Sequence, residues 1–326
     1  MYYIGVDLGG TNIAAGVVDQ SGAIVCKGSV PTGTGGGAAI AERIAGLVNR
    51  LLAENGLEQE ELGAIGVGVP GTANQETGLV EYANNLGMED EPLLELLEPY
   101  FPGVGLVFEN DANAAAYAEY LFGTGRGADS MIMVTLGTGI GGGMIFGGKL
   151  FEGINYAAGE FGHFTVKYDG LPCNCGRRGC FERYASASAL VEQTKEAMEE
   201  HPESLLWQLC GGNLDRVDGK LLFEAVGRED ETAKKVLDAF TGYLGTGLID
   251  LINIFQPEVI CLGGGISRAG AYLTDPVKKM MAKESYTRMS KRKPKLVAAS
   301  LGNDAGIIGA ALLAAKKGKD TGADKV

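Results

Sequence analysis

Four side chains that bind metals through nitrogen or sulfur fall within a short stretch: His163, then Cys173, Cys175 and Cys180. One imidazole and three thiols form a Cys₃His set, the tetrahedral combination zinc takes in structural sites, where no position stays open for water. A redox dithiol fits less well, because the spacing is Cys-x-Cys rather than Cys-x-x-Cys and a third thiol lies close by. The remaining cysteines, Cys26, Cys210 and Cys261, read as core residues.

A second chemistry is written in glycine. The chain has 52 glycines, where the usual share of about 7% would give roughly half as many. They cluster at the ends of apolar runs: Asp7-Leu-Gly-Gly-Thr-Asn12, Gly66-Val-Gly-Val-Pro-Gly71, Leu136-Gly-Thr-Gly-Ile-Gly141 and Leu262-Gly-Gly-Gly-Ile266. Two of these match the Gly-x-Gly-x-x-Gly fingerprint, at Gly137/Gly139/Gly142 and Gly66/Gly68/Gly71, but no helix is expected directly after either. Gly143-x-x-x-x-Gly148-Lys149 approaches a Walker loop and places Leu150 where a magnesium-binding hydroxyl is needed.

What survives is a pair of strand-turn-strand hairpins, Asp7–Asn12 and Thr135–Ile140, each able to aim backbone N–H groups and a threonine hydroxyl at phosphate oxygens. Either alone reads as a tight turn. Together with an acidic residue and a third glycine loop they read as a nucleotide site, with Asp7 holding magnesium through water. Asp111, in Glu109-Asn-Asp-Ala-Asn113 between a buried strand and an alanine-rich helix, suits two roles equally: general base or helix N-cap.

These residues need elements to hold them. Tyr2 to Val6, Ile13 to Val18 and Ala23 to Val30 read as an antiparallel meander. Ile40, Ile44, Leu47, Val48 and Leu51 follow at helical spacing, closed by Asn55-Gly56. Leu62 to Val69 and Gly105 to Phe108 read as strands, Leu93 to Leu97 as helical, and a helix starts near Asn110-Asp111. Met131 to Leu136, a glycine turn and Gly143 to Phe146 repeat the opening pattern, the mark of an internal duplication. A long helix from about Glu231 to Phe255, a strand at Val259 to Leu262 and a helix around Ala305 to Ala315 complete the order.

At 326 residues the chain exceeds the size of a single core, so two domains are expected. The net charge of −13 gives no general attraction to nucleic acid or anionic lipid, and no apolar run is long enough to cross a bilayer. A cytoplasmic protein is the expectation. The basic run Arg288, Lys291, Arg292, Lys293 and Lys295 reads as a solvated face.

Asp7-Leu-Gly-Gly-Thr-Asn12, Glu160-Phe-Gly-His163 and Cys173-x-Cys-Gly-x-x-Gly-Cys180-x-Glu182-x-x-x-Ser186 resemble the ROK family of bacterial sugar kinases and repressors over nearly the whole chain. The resemblance implies an α/β, two-domain actin-like (ribonuclease H-like) ATPase fold with an interdomain cleft and a structural zinc loop. Its expected domains are 1–110, joined by a returning helix at about 305–316, and 111–304 with the zinc loop at 163–182; a polar, disordered tail takes 317–326. It favours Asp111 as the base facing a hexose 6-hydroxyl.

By the same resemblance, Asn110, Glu160, His163 and Glu182 hold the ring hydroxyls, with Gly71 and Asn85 as the opposite wall. Gly9, Gly10, Thr11 and Asn12 hold the outer phosphates, Thr138 and Gly139 the others, and Gly263, Gly264 and Gly265 the adenosine. Zinc fixes the loop carrying Glu182, and His163 serves both metal and sugar. Met88 stands where glucose-specific relatives often have tryptophan.

The activity implied is ATP-dependent phosphorylation of glucose, with Mg²⁺ accompanying ATP and the chain a homo-oligomer, dimer or tetramer. A kinase for N-acetylmannosamine, N-acetylglucosamine or fructose shares every motif. A non-catalytic sugar sensor is weakened by the intact hairpins and Asp111. Repressors of the family carry a DNA-binding extension before the first hairpin, and here that hairpin's strand begins at Tyr2, so no DNA-binding role is expected.

Overall fold

In the computed structural model, which describes residues 1–323, the chain forms two units. The first takes Met1–Asp129, Gly143–Gly159 and the segment from Ser300 on; the second takes Ser130–Gly142 and Glu160–Ala299. In chain order the strands are β1 Tyr2–Leu8, β2 Asn12–Val18, β3 Ile24–Pro31, β4 Leu62–Val69, β5 Thr72–Ala73, β6 Val80–Ala83, β7 Met88–Glu91, β8 Gly105–Asn110, β9 Ser130–Leu136, β10 Ile140–Phe146, β11 Lys149–Leu150, β12 Val259–Gly263 and β13 Lys295–Ala298. The helices are α1 Gly36–Glu54, α2 Leu93–Leu97, α3 Asp111–Phe122, α4 Glu182–Ala185, α5 Ala187–Glu200, α6 Leu205–Leu209, α7 Gly219–Gly227, α8 Glu231–Phe255, α9 Ala271–Glu284 and α10 Ala305–Ala323.

One five-stranded sheet has the order β3-β2-β1-β4-β8 and the other β11-β10-β9-β12-β13. In the first, β1 is antiparallel to β2 and parallel to β4, which is parallel to β8. In the second, β12 is parallel to both β9 and β13. The two orders correspond strand for strand, so the repeat read between Tyr3–Val18 and Met131–Phe146 is a repeat of topology.

The strands β1, β2 and β4 of the first sheet are buried on both faces, as their near-continuous apolar residues require, while the edge strand β3 is exposed on one face. Against one face packs α1, whose Ile40, Ile44, Leu47, Val48 and Leu51 are all buried. Against the other lies α10, in contact with β1, β4 and β8. That approach needs glycine: a Cβ on Gly5 would overlap the carbonyl of Ile307, and one on its register partner Gly66 that of Ala310.

The helix α3 belongs to the first unit, whereas the sequence reading put residues from 111 on with the second domain. The reason is packing: Ala114 and Tyr117 of α3 are buried against Ala310 and Leu313 of α10. A buried carboxylate adds to this. Glu119 accepts from the backbone N–H groups of Thr124, Ser300 and Leu301 at 3.0, 2.7 and 2.6 Å, tying the end of α3 to the entry of α10. The disordered tail expected over 317–326 is also corrected, because α10 runs on to Ala323; residues 324–326 lie outside the described residues.

In the second unit, α8 is the spine. Asp230 caps it, accepting from the N–H of Ala233 at 2.8 Å, and Gln256 ends it in the left-handed region at φ 48°. Its buried face includes Phe240, Leu244, Leu248 and Ile252.

Candidate active site

The turn after β1 is closed by a bond from the N–H of Gly9 to the carbonyl of Asn12 at 3.0 Å. Thr32, 1% exposed, braces it from the end of β3: its hydroxyl donates to the Gly9 carbonyl at 2.6 Å, and its N–H to that of Thr11 at 2.9 Å. The N–H groups of Gly10 and Thr11 donate to no group among the described residues. Gly10 abuts the 3-10 turn Asn84–Leu86, since a Cβ there would lie 3.2 Å from the Asn85 carbonyl. Asp7 ends β1 half-buried, its carboxyl against the backbone of Gly306, and burial holds its pKa above the ordinary carboxylate value.

At the junction of β8 and α3 the two roles open to Asp111 separate. The helix cap is Asn110, whose Oδ1 accepts from the N–H groups of Ala112 and Asn113 at 2.9 and 3.1 Å. Its Nδ2 donates to the carbonyl of Gly71 at 3.0 Å, so the amide proposed for a sugar hydroxyl already has protein partners. Gly71 has φ 96° and no room for a Cβ against the carbonyl of Tyr82. Asp111 is the first residue of α3 and accepts from the Ala112 N–H at 2.7 Å.

The second unit holds the remaining residues. After β9, the N–H of Gly137 bonds the carbonyl of Gly139 at 3.0 Å, and those of Thr138 and Gly139 donate to no group among the described residues. The next N–H, of Ile140, donates to Oε2 of Glu182 at 2.9 Å. The carboxylate expected at the sugar thus also braces this hairpin, a tie that residue spacing did not reveal. Beyond Gly139 and Gly142 the chain continues as strand β10, and after Gly71 as strand β5, so the dinucleotide readings fail as expected.

Glu160 opens the short 3-10 turn Phe161–His163, and the His163 N–H donates to its carbonyl at 3.1 Å. Desolvation raises the pKa of Glu160 and the charge of Glu182 adds to the rise, while His163 opposes it. The ligand atoms of His163, Cys173, Cys175 and Cys180 all lie within 4.8 Å of one another. Cys173 Sγ is 3.7 Å from His163 Nδ1, and Cys175 Sγ is 3.6 Å from Cys180 Sγ. Tetrahedral bonds of about 2.3 Å to sulfur and about 2.0 Å to nitrogen would space such atoms by about 3.5 to 3.8 Å, so the set fits one metal ion.

Burial and the neighbouring thiols push Cys180 up to about 12, a crowding of sulfurs that a dication would relieve. The loop is buttressed by Arg177, which donates to the His163 carbonyl at 3.0 Å, and by Phe181, stacked on Phe164 at 5.1 Å. Glu182 follows directly as the first residue of α4.

Gly263–Gly265 lie at the carboxyl end of β12, leading through a 3-10 turn into α9. Gly264 has φ 83° and packs on the backbone of Leu136, whereas Gly265 faces open space. The basic run is exposed around Arg292, which pairs with Glu258 at 2.7 Å. Met88 is 2% exposed and belongs to the core with Val80, Ala83 and Leu93. Thr32, Glu109 and Glu119 are the residues that reading the sequence missed. The signal available was a polar type beside an apolar run, which many surface residues share.

The ROK family model matches residues 3–317. A glucokinase of Streptomyces coelicolor is 41% identical over 313 residues, 95% of this chain and 96% of its own length. One from Halalkalibacterium halodurans is 39% identical over 310 residues, 94% of this chain and 93% of its own length. Among solved structures, a ROK family glucokinase from Streptomyces griseus in complex with glucose and AMPPNP has a TM-score of 0.83 and 39% identity, covering 97% of this chain and 100% of that one. With its α/β fold, doubled hairpin and Cys₃His loop all within the matched span, this chain belongs to the ROK family.

Proposed function

We propose that this chain transfers the γ-phosphoryl group of ATP to the 6-hydroxyl of glucose. The observation that carries the reading is the doubled hairpin: two turns of one topology, each with consecutive N–H groups that no acceptor among the described residues uses. Such N–H groups suit phosphate oxygens. Glucose as acceptor is supported by identities near 40% to glucokinases and by the glucose-bound relative.

In this reading Gly9, Gly10, Thr11 and Asn12 hold the outer phosphates, Thr138 and Gly139 the others, and Gly263–Gly265 the adenosine. By the family resemblance, Gly71, Asn85, Asn110, Glu160, His163 and Glu182 are the residues for the hexose. Asp111 takes the proton of the 6-hydroxyl as its oxygen attacks the γ-phosphorus. The bond from that phosphorus to the bridging oxygen breaks, giving glucose 6-phosphate and ADP. Positioning and charge neutralisation supply most of the acceleration in such transfers.

Asp7 would hold magnesium, which would neutralise charge on the phosphates. Zinc suits His163, Cys173, Cys175 and Cys180; with Nδ1 turned to Cys173, the Nε2 of His163 is left for a sugar hydroxyl. The family resemblance makes the chain a homo-oligomer, dimer or tetramer, and its composition makes a cytoplasmic location the default. No helix among the described residues is long and apolar enough to cross a membrane.

A coupled ADP-release assay with ATP and magnesium tests this on glucose, N-acetylmannosamine, N-acetylglucosamine, fructose and mannose. Preference for glucose, lost in Asp111→Asn, is the expected result. Preference for another sugar overturns the substrate, and binding without turnover on any sugar overturns the kinase.

A further inference from the structure

Directly before Asn110-Asp111 stands Glu109, whose side chain is 2% exposed. A carboxyl group taken out of water needs partners. Its Oε1 accepts from the Asn110 N–H and from Nδ2 of Asn113, both at 3.0 Å. Its Oε2 accepts from Nε2 of Gln75 at 2.8 Å, and the same nitrogen donates to Oε1 of Glu152 at 2.8 Å. The two carboxyl groups thus meet at one amide nitrogen.

Lys317 of α10 faces the pair, its Nζ 3.4 Å from Glu152 and 4.0 Å from Glu109. Tyr156, which interacts with Glu76, also lies near the pair among the described residues. Asn113 is wholly buried, and its Oδ1 has no partner among the described residues, so its bond to Glu109 is the side-chain tether of that first-turn amide.

We propose that Glu109 is a positioning residue for the transfer: sharing one proton with Glu152, it fixes the first turn of α3 and thereby the carboxylate of Asp111. This rests on the phosphoryl-transfer reading above. A buried and a half-buried carboxylate facing one lysine cannot both ionise without cost. Burial, and then Glu152, push Glu109 up to about 7. Burial also acts upward on Glu152, but hydrogen bonds from Glu109 and Gln75 and the charge of Lys317 outweigh it and hold Glu152 below the ordinary value. The shared proton therefore sits on Glu109 and is donated to Glu152. Above neutrality it is lost, and two charges face each other against the strand end that holds Asn110.

The test is the pH dependence of kcat and of the glucose KM for the full chain, Glu109→Gln and Glu152→Gln. In the wild type kcat falls about tenfold between pH about 6 and about 8, with KM moving less. Glu109→Gln keeps an acceptor for Asn110 and Asn113 and an N–H toward Glu152, gives up only the acceptor for Gln75, which still donates to Glu152, and shows no such fall. Glu152→Gln also shows none, because the new amide donates to the ionised Glu109. A fall at the same pH in Glu109→Gln overturns the proposal; if that variant does not fold, the same result in Glu152→Gln does so.

Thermal unfolding gives a readout that needs no turnover. A carboxyl whose folded pKa is raised stabilises the fold below its unfolded value, 4.5, and loses that contribution as pH rises through about 7. The wild-type melting temperature therefore declines across that window, and Glu109→Gln removes this part of the decline. A wild type that turns over no glucose at any pH sinks the kinase reading and leaves the melting profile to decide the network. Turnover with an unchanged variant profile sinks the network alone.

Discussion

The turn after β1 and the turn after β9 join strands of one topology, but different chemistry holds them. The first is braced by a neutral hydroxyl, Thr32 on the Gly9 carbonyl, and carries an acid, Asp7, at its entry. The second is braced by a charge, Glu182 on the Ile140 N–H, and has Thr135 at the place of Asp7, its hydroxyl accepting from the Gly141 N–H at 3.2 Å. A duplicated backbone thus supplies N–H groups twice, while the side chains differ: the first turn has a carboxylate at its entry, and the second is tied through Glu182 to the segment that follows Cys180.

The sharpest break in this comparison comes at Asp111, which has no counterpart in the second unit's turn. Asp111→Asn is expected to lower kcat about 10²- to 10⁴-fold with the melting temperature unchanged. The neighbouring Asn110→Ala removes the cap and lowers stability by about 1 kcal/mol. Steady-state kinetics and thermal unfolding on both variants check that the two tasks are separate.

Stripping the Cys₃His site with a chelator, or Cys180→Ser, acts only on the second turn's support. Activity falls about 10- to 100-fold, because the loop presenting Glu182 loses its anchor. Metal analysis beside kinetics on the same sample measures it; full activity without metal would break the comparison.

Glu182→Gln keeps an acceptor and removes the charge from the bond to Ile140. Since hydrogen bonds to charged groups are worth about 1.5 to 3 kcal/mol, the KM values for glucose and for ATP both rise, by about tenfold. A rise for glucose alone would show that the brace on the hairpin is idle.

The smallest effect is expected at Thr32→Val. Losing one buried hydroxyl costs about 1 kcal/mol of stability and raises the KM for ATP a few-fold, leaving glucose untouched. Denaturant unfolding and ATP titration together test it.

Strands such as Leu62–Val69 and helices such as α1 were legible because their apolar spacing records which faces are buried. The hairpins were legible through glycine, and the metal set through four ligand types close in sequence. The reach of α3 into the first unit was not, because Ala114 and Tyr117 reveal their partner only once α10 returns from the far end of the chain. Nor was the capping role of Asn110, since Asn and Asp are equally good caps and only backbone geometry chooses between adjacent ones.

By itself, then, the sequence determined the repeat, the ligand set and the glycine turns, properties carried by local residue type and spacing. Tertiary structure alone decided the partners of the buried carboxylates. Glu109, Gln75, Glu152 and Lys317 come from four separate stretches, and whether a carboxyl is ionised depends on which of them it meets out of water.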